Sequence, residues 1–283
     1  MEEFNMRINT NVAAMNTYSR LTAANTAKSK SLAKLSSGLR INKAGDDAAG
    51  LAISEKMKSQ IGGLTQAKRN AQDGISLVQT AEGALNETHS ILERMRDLAV
   101  QGANGTLTET DRGSINKELT ALHQELTRIS KTTQFNTQQV FSQAKDKAAT
   151  FTFQIGANAG QSLSVAINAM DGTSLLVSTD AQFSLNKGGT NAGAMINNID
   201  TAIGKVSAQR ADLGAVQNRL EHTINNLTAT NENLSDANSR IRDVDMAEEM
   251  MTFTKSNILS QAATSMLAQA NAMPNSVLNL LQG

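Results

Sequence analysis

The sequence predicts a mainly α-helical protein, an elongated antiparallel helical bundle or coiled coil with a small β-hairpin region. Three observations predict this class. The C-terminal half carries a seven-residue apolar repeat, the N-terminal half carries matching stripes, and only 3% of the residues are aromatic. Because aromatic side chains supply the largest buried areas of compact cores, a chain so poor in them suits long helices packed through aliphatic side chains.

The C-terminal repeat predicts one long helix over residues 193–243. Its apolar members recur at every seventh residue: Ile199, Val206, Leu213, Leu220, Leu227, Leu234 and Ile241. An interleaved row is largely polar: Ile203, Arg210, Gln217, Ile224, Asn231 and Asn238. This alternation of four-residue and three-residue steps is typical of a coiled-coil seam. At 1.5 Å per residue the helix would be about 75 Å long.

Two further helices are predicted in the N-terminal half. The first carries one apolar row at Met57, Leu64, Ala71, Val78, Leu85, Leu92 and Ala99, and a second row at Leu77, Ala81, Ala84, Ile91, Met95 and Leu98. Two rows make a stripe wide enough to face two partners. After the break at 101–106, Thr108 and Asp111 have the spacing of a helix start. The third stripe follows at Ile115, Leu119, Leu122, Leu126 and Ile129, which completes a predicted antiparallel bundle.

The region between these helices has the periodicity of strands. The segment FTFQIGANAGQSLSVAI, residues 151–167, alternates apolar and polar residues on both sides of a Gly/Asn turn. This pattern predicts a β-hairpin. Residues 168–191 are expected to form a loop or an irregular strand.

Both ends of the chain carry apolar stripes outside the bundle. The N-terminal stripe contains Ile8, Val12, Met15, Leu32, Leu35 and Leu39, and the C-terminal stripe contains Leu259, Ala263, Met266, Ala270, Met273, Val277 and Leu280. Residues 36–50, which are small, polar and punctuated by glycine, predict a connector that interrupts helix. Chain ends usually fray in water, so ends this apolar need partners to cover them.

Side chains for catalysis, cofactors or metals do not cluster along the sequence. The chain has no cysteine, and its three histidines, at positions 89, 123 and 222, each stand alone on a predicted helix. No HExxH, Walker A, GxGxxG or GxSxG motif is present. We therefore expect no enzyme activity, no cofactor and no metal site. Acidic residues at 240–250 fit a solvated helix face better than a calcium loop, and Asp46 and Asp47 are expected to pair with Arg40 and Lys43.

The charge balance argues against several partners. Lys plus Arg and Asp plus Glu both number 26, so charge does not favour nucleic acid or an anionic membrane surface. No window reaches the roughly 18 uncharged apolar residues of a membrane span. The N-terminus lacks the basic start and apolar run of a cleavable secretory signal.

Long motifs of the sequence resemble bacterial flagellin. They are MRINTNVAAMN (6–16), LSSGLRINKAGDDAAGLAISEKM (35–57), AQDGISLVQTAEGALNE (71–87), RADLGAVQNRLEHTINNL (210–227), SRIRDVDMAEEM (239–250) and NILSQAATSMLAQANAMPNSVLNLL (257–281). The resemblance covers about 6–141 and 193–282, in the family's order. It implies a helical outer-core domain and an inner domain in which the N- and C-terminal helices pair.

The implied domain organisation has five segments. They are 1–48, the N-terminal half of the inner domain with its connector; 49–141, the first helices of the bundle; 142–192, the hairpin and a short variable region; 193–244, the long C-terminal helix; and 245–283, the C-terminal half of the inner domain. Family chains normally begin at the Met of MRIN, here Met6, so residues 1–5 are an extension.

The resemblance also implies function and partners. The chain would be a structural subunit that polymerises with itself into the extracellular flagellar filament for motility. It would leave the cell unfolded through the type III export apparatus, shielded by a secretion chaperone, and assemble at the tip among filament-cap and hook-junction proteins. The residues expected to serve polymerisation or chaperone binding are Ile8, Val12, Met15, Ile258, Leu259, Met266, Leu267, Val277, Leu278 and Leu281.

The resemblance also implies a partner in the host, a vertebrate Toll-like receptor. The segment ILERMRDLAVQGANGT, residues 91–106, resembles the stretch that this receptor reads in many flagellins. Carried over by position, the contacts are Arg94, Leu98 and Glu118. The chain departs from the common pattern at Glu93 and Asp97, and a carboxylate beside Arg94 can compete for its guanidinium and reduce the strength of recognition.

Other interpretations fit less of the sequence. A hook–filament junction protein shares terminal segments with flagellin, but RADLGAVQNRLEHTINNL and the ending AQANAMPNSVLNLL favour flagellin. A chemoreceptor signalling rod would need a membrane span or a sensor domain. A flagellin that carries a protease would need an HExxH motif and a longer middle region.

Overall fold

A computed structural model describes residues 10–142, 147–175, 185 and 191–282, with the backbone alone over 274–282. The elements are α1 (Val12–Ser37), α2 (Ala48–Gly102), α3 (Glu109–Thr132), β1 (Gln134–Phe135), β2 (Gln138–Gln139), β3 (Ala149–Gln154), β4 (Ser162–Ile167), α4 (Gly172–Leu175), α5 (Ala192–Arg242) and α6 (Met246–Gln282). The predicted class, mainly α with a small β-hairpin region, is confirmed. Among the described helices, none has both the length and the apolar character that crossing a bilayer would require.

The chain divides into two compact units. The first unit comprises residues 1–59 and 233–283, and the second comprises residues 60–232. α1 and α6 belong to the first unit, α3 and the strands to the second, and α2 and α5 contribute to both. The predicted division of the chain ends from the bundle at residues 48 and 244 stays a prediction.

The core of the second unit is built from the predicted apolar rows. The fully buried side chains on the three long helices include Ala71, Val78, Leu85, Leu92, Met95, Leu119, Leu126, Ile199, Val206, Leu213 and Leu220. The predicted C-terminal helix agrees with α5 to within one residue at each end. A row of aliphatic side chains runs along each helix because one residue in every seven returns to the same face. Phe141 is buried in the same core.

Polar pairs set the register between α2 and α5 in the second unit. Arg96 Nε donates to Asp200 Oδ1 at 2.7 Å, and Asn231 Nδ2 donates to Thr65 Oγ1 at 3.0 Å. Positions on α2 fall as positions on α5 rise, so the two helices are antiparallel, as predicted. Polar residues in a seam specify register because a shifted pairing would separate them from their partners.

The hairpin of β3 and β4 packs on the helices of the second unit. The strands pair antiparallel from Ala149↔Ile167 to Gln154↔Ser162, which confirms the predicted hairpin. Alternate residues of β4 are buried, as expected for a strand with one face on a core. Gly63 of α2 lets the hairpin turn approach closely, because a Cβ at this position would lie 2.9 Å from the Cβ of Ala157.

A second, shorter hairpin was not predicted. β1 and β2 contain two residues each, and the residues between them, Asn136 and Thr137, have φ angles of 48° and 63°. A tight hairpin turn of this kind needs positive φ at both central residues, and its usual sequence signal is Asn-Gly. With Thr in place of Gly the signal is absent.

The predicted connector between α1 and α2 is confirmed, but its expected ion pairs are wrong. Gly38 ends α1 with φ of 70°, and Arg40 N donates to Arg242 O at 2.6 Å, so the connector pairs with the short link between α5 and α6. Asp46 Oδ2 accepts from the backbone N–H groups of Asn42 and Lys43 at 3.2 and 3.0 Å, which lowers the pKa of Asp46. Backbone donors of a tight turn outcompete flexible cationic side chains, because they are already held beside the carboxylate.

Candidate interaction surfaces

α1 and α6 of the first unit pack along a seam of mostly small side chains. The covered positions recur at steps of three and four: Thr17, Leu21, Ala24, Lys28 and Ser31 on α1, and Phe253, Ser256, Ser260, Ala263, Leu267 and Ala270 on α6. This is coiled-coil spacing with few large knobs. Small side chains let the two helices approach closely but bury little apolar area.

Hydrogen bonds across the seam fix its register. The pairs are Asn11–Ala270, Asn25–Ser260, Lys28–Asn257 and Lys34–Glu249, at 2.8, 2.8, 2.8 and 3.4 Å. Positions on α6 fall as positions on α1 rise, so the helices are antiparallel. The seam is thus held by specific polar contacts as well as by packing.

Most of the large apolar side chains of α1 and α6 point away from this seam. We call their described members the outer apolar face; they are Val12, Met15, Tyr18, Leu32, Met246, Met250, Met251, Ile258, Leu259, Met266 and Met273, all exposed. Large apolar surfaces left in water usually mark interaction sites.

The predicted polymerisation and chaperone residues separate into three groups. Val12, Met15, Ile258, Leu259 and Met266 lie on the outer apolar face. Leu267 lies in the seam, half-buried against α1, together with Ala263 and Ala270 of the predicted C-terminal stripe. The placement of Ile8 and of the side chains of Val277, Leu278 and Leu281 lies outside the described residues.

The three predicted receptor residues are only partly brought together at the surface. Arg94 Nε and Nη2 both donate to Glu118 Oε1, at 3.0 and 2.8 Å, and both side chains are about half exposed. Leu98 is 2% exposed and belongs to the core of the second unit, so its side chain does not reach solvent in this conformation. Glu93, which was expected to compete for Arg94, lies with its carboxylate 3.3 Å from His89 Nε2 instead. The partner of Arg94 on the neighbouring helix is therefore Glu118.

Sequence reasoning missed the residue that organises the turn beside this pair. Arg112, on the first turn of α3, is 7% exposed and donates to three carbonyl oxygens of residues 102–107. The acceptors are Gly102, Asn104 and Leu107, at 3.3, 2.9 and 3.1 Å. A single arginine directly after the capping box was the available signal, but an exposed arginine would have the same sequence pattern.

The predicted helix start of α3 is confirmed. Asp111 N donates to Thr108 Oγ1 at 3.3 Å, and Thr108 N donates to Asp111 Oδ2 at 3.0 Å, which together form a capping box. Hydrogen bonds from the hydroxyl and then the amide of Thr108 lower the pKa of Asp111. The carboxylate is therefore charged at neutral pH and interacts favourably with the positive end of the helix dipole.

No group of three His, Asp or Glu side chains suited to a metal occurs among the residues that the structure describes. The prominent features of the described residues are two surfaces: the outer apolar face of the first unit and the Arg94–Glu118 pair of the second unit.

Known proteins share both halves of this architecture. The family model for the bacterial flagellin N-terminal helical region matches residues 8–146, and that for the bacterial flagellin C-terminal helical region matches residues 196–281. The chain is 53% identical over 304 residues to a flagellin of Bacillus subtilis (strain 168), and 53% identical over 277 residues to a flagellin of Halalkalibacterium halodurans. Each alignment covers 98% of this chain and 100% of the relative.

One solved structure shares the fold at lower identity. It is a putative flagellar hook-associated protein from Vibrio parahaemolyticus, with a TM-score of 0.60, 17% identity, and coverage of 70% of this chain and 100% of that chain. At such identity the likeness extends to the fold alone. Since two family models span both helical regions and the flagellin relatives match over nearly their whole length, the chain belongs to the bacterial flagellins, the secreted structural subunits of the flagellar filament.

Proposed function

We propose that the outer apolar face of α1 and α6 is the surface through which subunits polymerise. The observation that carries this proposal is the contrast between the two sides of the helix pair. The side turned inward is filled by small residues and polar contacts, whereas the large side chains, such as Leu259 and Met266, are left in water. If these side chains served only the stability of the helix pair, they would be expected in the seam, where they would be buried.

Burial of the exposed side chains would favour assembly. Burial of one such side chain contributes roughly 1.5–3 kcal/mol, so six of them supply on the order of 10 kcal/mol or more before ordering costs. A heterologous contact that does not close into a ring extends into a filament.

Two double variants at positions 259 and 266 test the proposal. Leu259→Asp with Met266→Asp should abolish filament formation by purified monomer, because two carboxylates would have to be buried without partners. Leu259→Met with Met266→Leu keeps the shape and apolar character and should assemble normally. Filaments are measured by sedimentation and negative-stain microscopy, and monomer helicity by circular dichroism. Normal assembly of the Asp variant at unchanged helicity contradicts the proposal.

Removal of α6 gives an independent test of the same proposal. A chain lacking residues 245–283 should remain soluble, because the core of the second unit is built from α2, α3, α5 and the strands. It should form no filaments. Filaments from this truncation would show that the outer apolar face of α6 is dispensable.

We also propose that a cytoplasmic secretion chaperone covers α6 before the unfolded chain enters the type III export apparatus. The support is the same exposed face, since an amphipathic helix self-associates unless a groove takes its apolar side. Leu267 lies in the seam with α1, so a chaperone that binds it must hold α6 apart from α1. Pull-down of the chaperone by full-length chain, but not by the chain lacking 245–283, is expected. Equal capture by both refutes this proposal.

The host receptor is a further candidate partner, and the exposed Arg94–Glu118 pair favours it. We propose that a Toll-like receptor binds the monomer at this pair, with Leu98 supporting the helix from the core rather than filling a receptor pocket. An arginine held by a neighbouring carboxylate is a common centre of binding energy.

The test uses a second exposed ion pair as its control. Arg128 Nε donates to Glu125 Oε2 at 2.7 Å on the outer side of α3. Arg94→Ala should lower receptor activation by monomer about tenfold or more, as expected for a hot-spot arginine, while Arg128→Ala leaves it unchanged. Both variants should keep their helicity and polymerise. Equal signalling by Arg94→Ala and the parent protein contradicts the proposed contact.

A further inference from the structure

Nine of the ten described methionines fall into two sets with opposite exposure, and the tenth, Met57, is half-buried. In the first unit, those exposed are Met15, Met246, Met250, Met251, Met266 and Met273, with Met251 and Met266 at 67% and 63%. In the second unit, Met95, Met170 and Met195 are buried, at no more than 3% exposure. All six exposed methionines belong to the outer apolar face.

Exposure decides how readily a thioether reacts. The sulfur of methionine is a nucleophile, and its oxidation follows accessibility. Hydrogen peroxide can therefore reach the six sulfurs of the outer apolar face, while the three core methionines of the second unit are shielded.

We propose that the exposed methionines of the outer apolar face are a reversible oxidation site through which peroxide controls whether the monomer can polymerise. This inference rests on the proposed polymerisation surface. In the reaction a sulfur lone pair attacks one peroxide oxygen, the O–O bond breaks and an S–O bond forms. The sulfur loses two electrons, and the second peroxide oxygen leaves as water. One peroxide yields one sulfoxide and one water.

The product opposes burial of the face. A sulfoxide converts a flexible apolar side chain into a polar one with a strong acceptor oxygen. Of the residues that make up this face, Tyr18 alone carries a side-chain donor for that oxygen, and aliphatic residues such as Ile258 and Leu259 carry none. A buried acceptor without a donor weakens association, on the order of tenfold or more for each one that stays unpaired. Polymerised subunits cover the same sulfurs, so the site acts on the monomer.

The experiment compares the full-length parent with a variant in which the six exposed methionines are replaced by leucine. Leucine matches methionine in size and helix propensity but has no sulfur. Monomers of both are treated with hydrogen peroxide, the sulfoxides are located by peptide mass spectrometry, and the critical concentration for filament formation is measured. Circular dichroism checks that the helicity of both proteins is unchanged.

The parent should be oxidised on the outer apolar face and not at Met95, Met170 or Met195. Its critical concentration should rise at least tenfold. Treatment with methionine sulfoxide reductases and a dithiol should reverse the rise, because the dithiol is oxidised to a disulfide while the sulfoxide oxygen leaves as water. The leucine variant should assemble equally well before and after peroxide, and preformed parent filaments should resist oxidation on this face. An oxidised parent that assembles at its original critical concentration overturns the inference, and so does equal loss of assembly by the leucine variant.

A third arm separates this inference from the proposed function. The variant Leu259→Asp with Met266→Asp is assayed beside the oxidised parent. If the Asp variant fails to assemble while the oxidised parent succeeds, the oxidation inference alone is wrong. If the Asp variant assembles, the proposed polymerisation surface itself is wrong.

Discussion

Replacement of Arg112 by methionine should loosen the turn between α2 and α3. Methionine keeps the apolar part of the arginine stem and removes all of its donors. Three carbonyl oxygens, those of Gly102, Asn104 and Leu107, then lose their charged donor. The turn closes α2 against α3 next to the Arg94–Glu118 pair, so the effect should extend to that surface.

The magnitude follows from the surroundings of each carbonyl. Gly102 is buried, so its carbonyl cannot turn to water, and a buried unsatisfied acceptor costs about 1–3 kcal/mol. Asn104 is exposed and Leu107 is half-buried, so water replaces most of what these two carbonyls lose. Removal of a buried charge offsets part of the cost. The expected loss is about 1–2 kcal/mol for local opening of the turn.

Hydrogen exchange is the suitable assay, because a chain of two units does not guarantee a single two-state unfolding transition. Amides that the turn protects, such as Ala103 N bonded to Ala99 O at 3.0 Å, should exchange about 5- to 30-fold faster in Arg112→Met. Arg128→Met, at an exposed arginine of the same helix, is the control. Exchange within about twofold of the parent would refute the reasoning, since a loss of about 1 kcal/mol corresponds to some fivefold.

Three further predictions concern the second unit. Gln209→Leu should lower the stability of this unit by about 1–3 kcal/mol in thermal unfolding. The reason is that Gln209 Oε1 accepts from the side chain of residue 168 at 2.9 Å and Gln209 Nε2 donates to the carbonyl of residue 166 at 3.2 Å. An unchanged unfolding midpoint contradicts a stabilising role for these two hydrogen bonds. Gly63→Val should destabilise the packing of the β3–β4 hairpin on α2. Gly83→Ala, where a Cβ meets nothing within 4 Å, should stabilise the helix by roughly 0.5–1 kcal/mol. Equal effects of the two variants in thermal unfolding would refute the close approach of the hairpin turn to Gly63. The Asp111 pKa is lowered from 3.8 in the folded state. The stabilisation of α3 by this carboxylate is therefore complete above that value and lost as the pH falls through the folded-state pKa, which should appear as a loss of helicity in an acid titration. Asp111→Asn should remove that loss, and a titration of the variant that keeps it assigns the loss to another group.

Some local features were readable because their signals are local. The capping box of Thr108 and Asp111 depends on two residues three positions apart, and the β3–β4 hairpin on alternation around a Gly/Asn turn. The turn at Asn136 was not readable, because a strained backbone without glycine is held by its surroundings. Arg112 was missed because its burial depends on carbonyls of the preceding turn, which its own sequence pattern does not distinguish from solvent.

The sequence by itself determined the long helices and their buried rows. A helix returns to the same face every seven residues, so the apolar rows through Val78 on α2 and Val206 on α5 specify burial before any partner is known. The family resemblance was readable for a related reason, since its motifs are contiguous stretches of those same helices.

Only the tertiary structure decided which side of α6 meets α1. Leu259, Ala263, Met266 and Ala270 form one apolar stripe in the sequence, and nothing in it favours the alanines over the larger residues. The choice depends on the partner, because α1 offers small side chains and polar partners such as Lys28, and a small-residue seam allows closer packing with all four polar contacts made. The large residues are then left on the outer apolar face, where no other described part of the chain covers them.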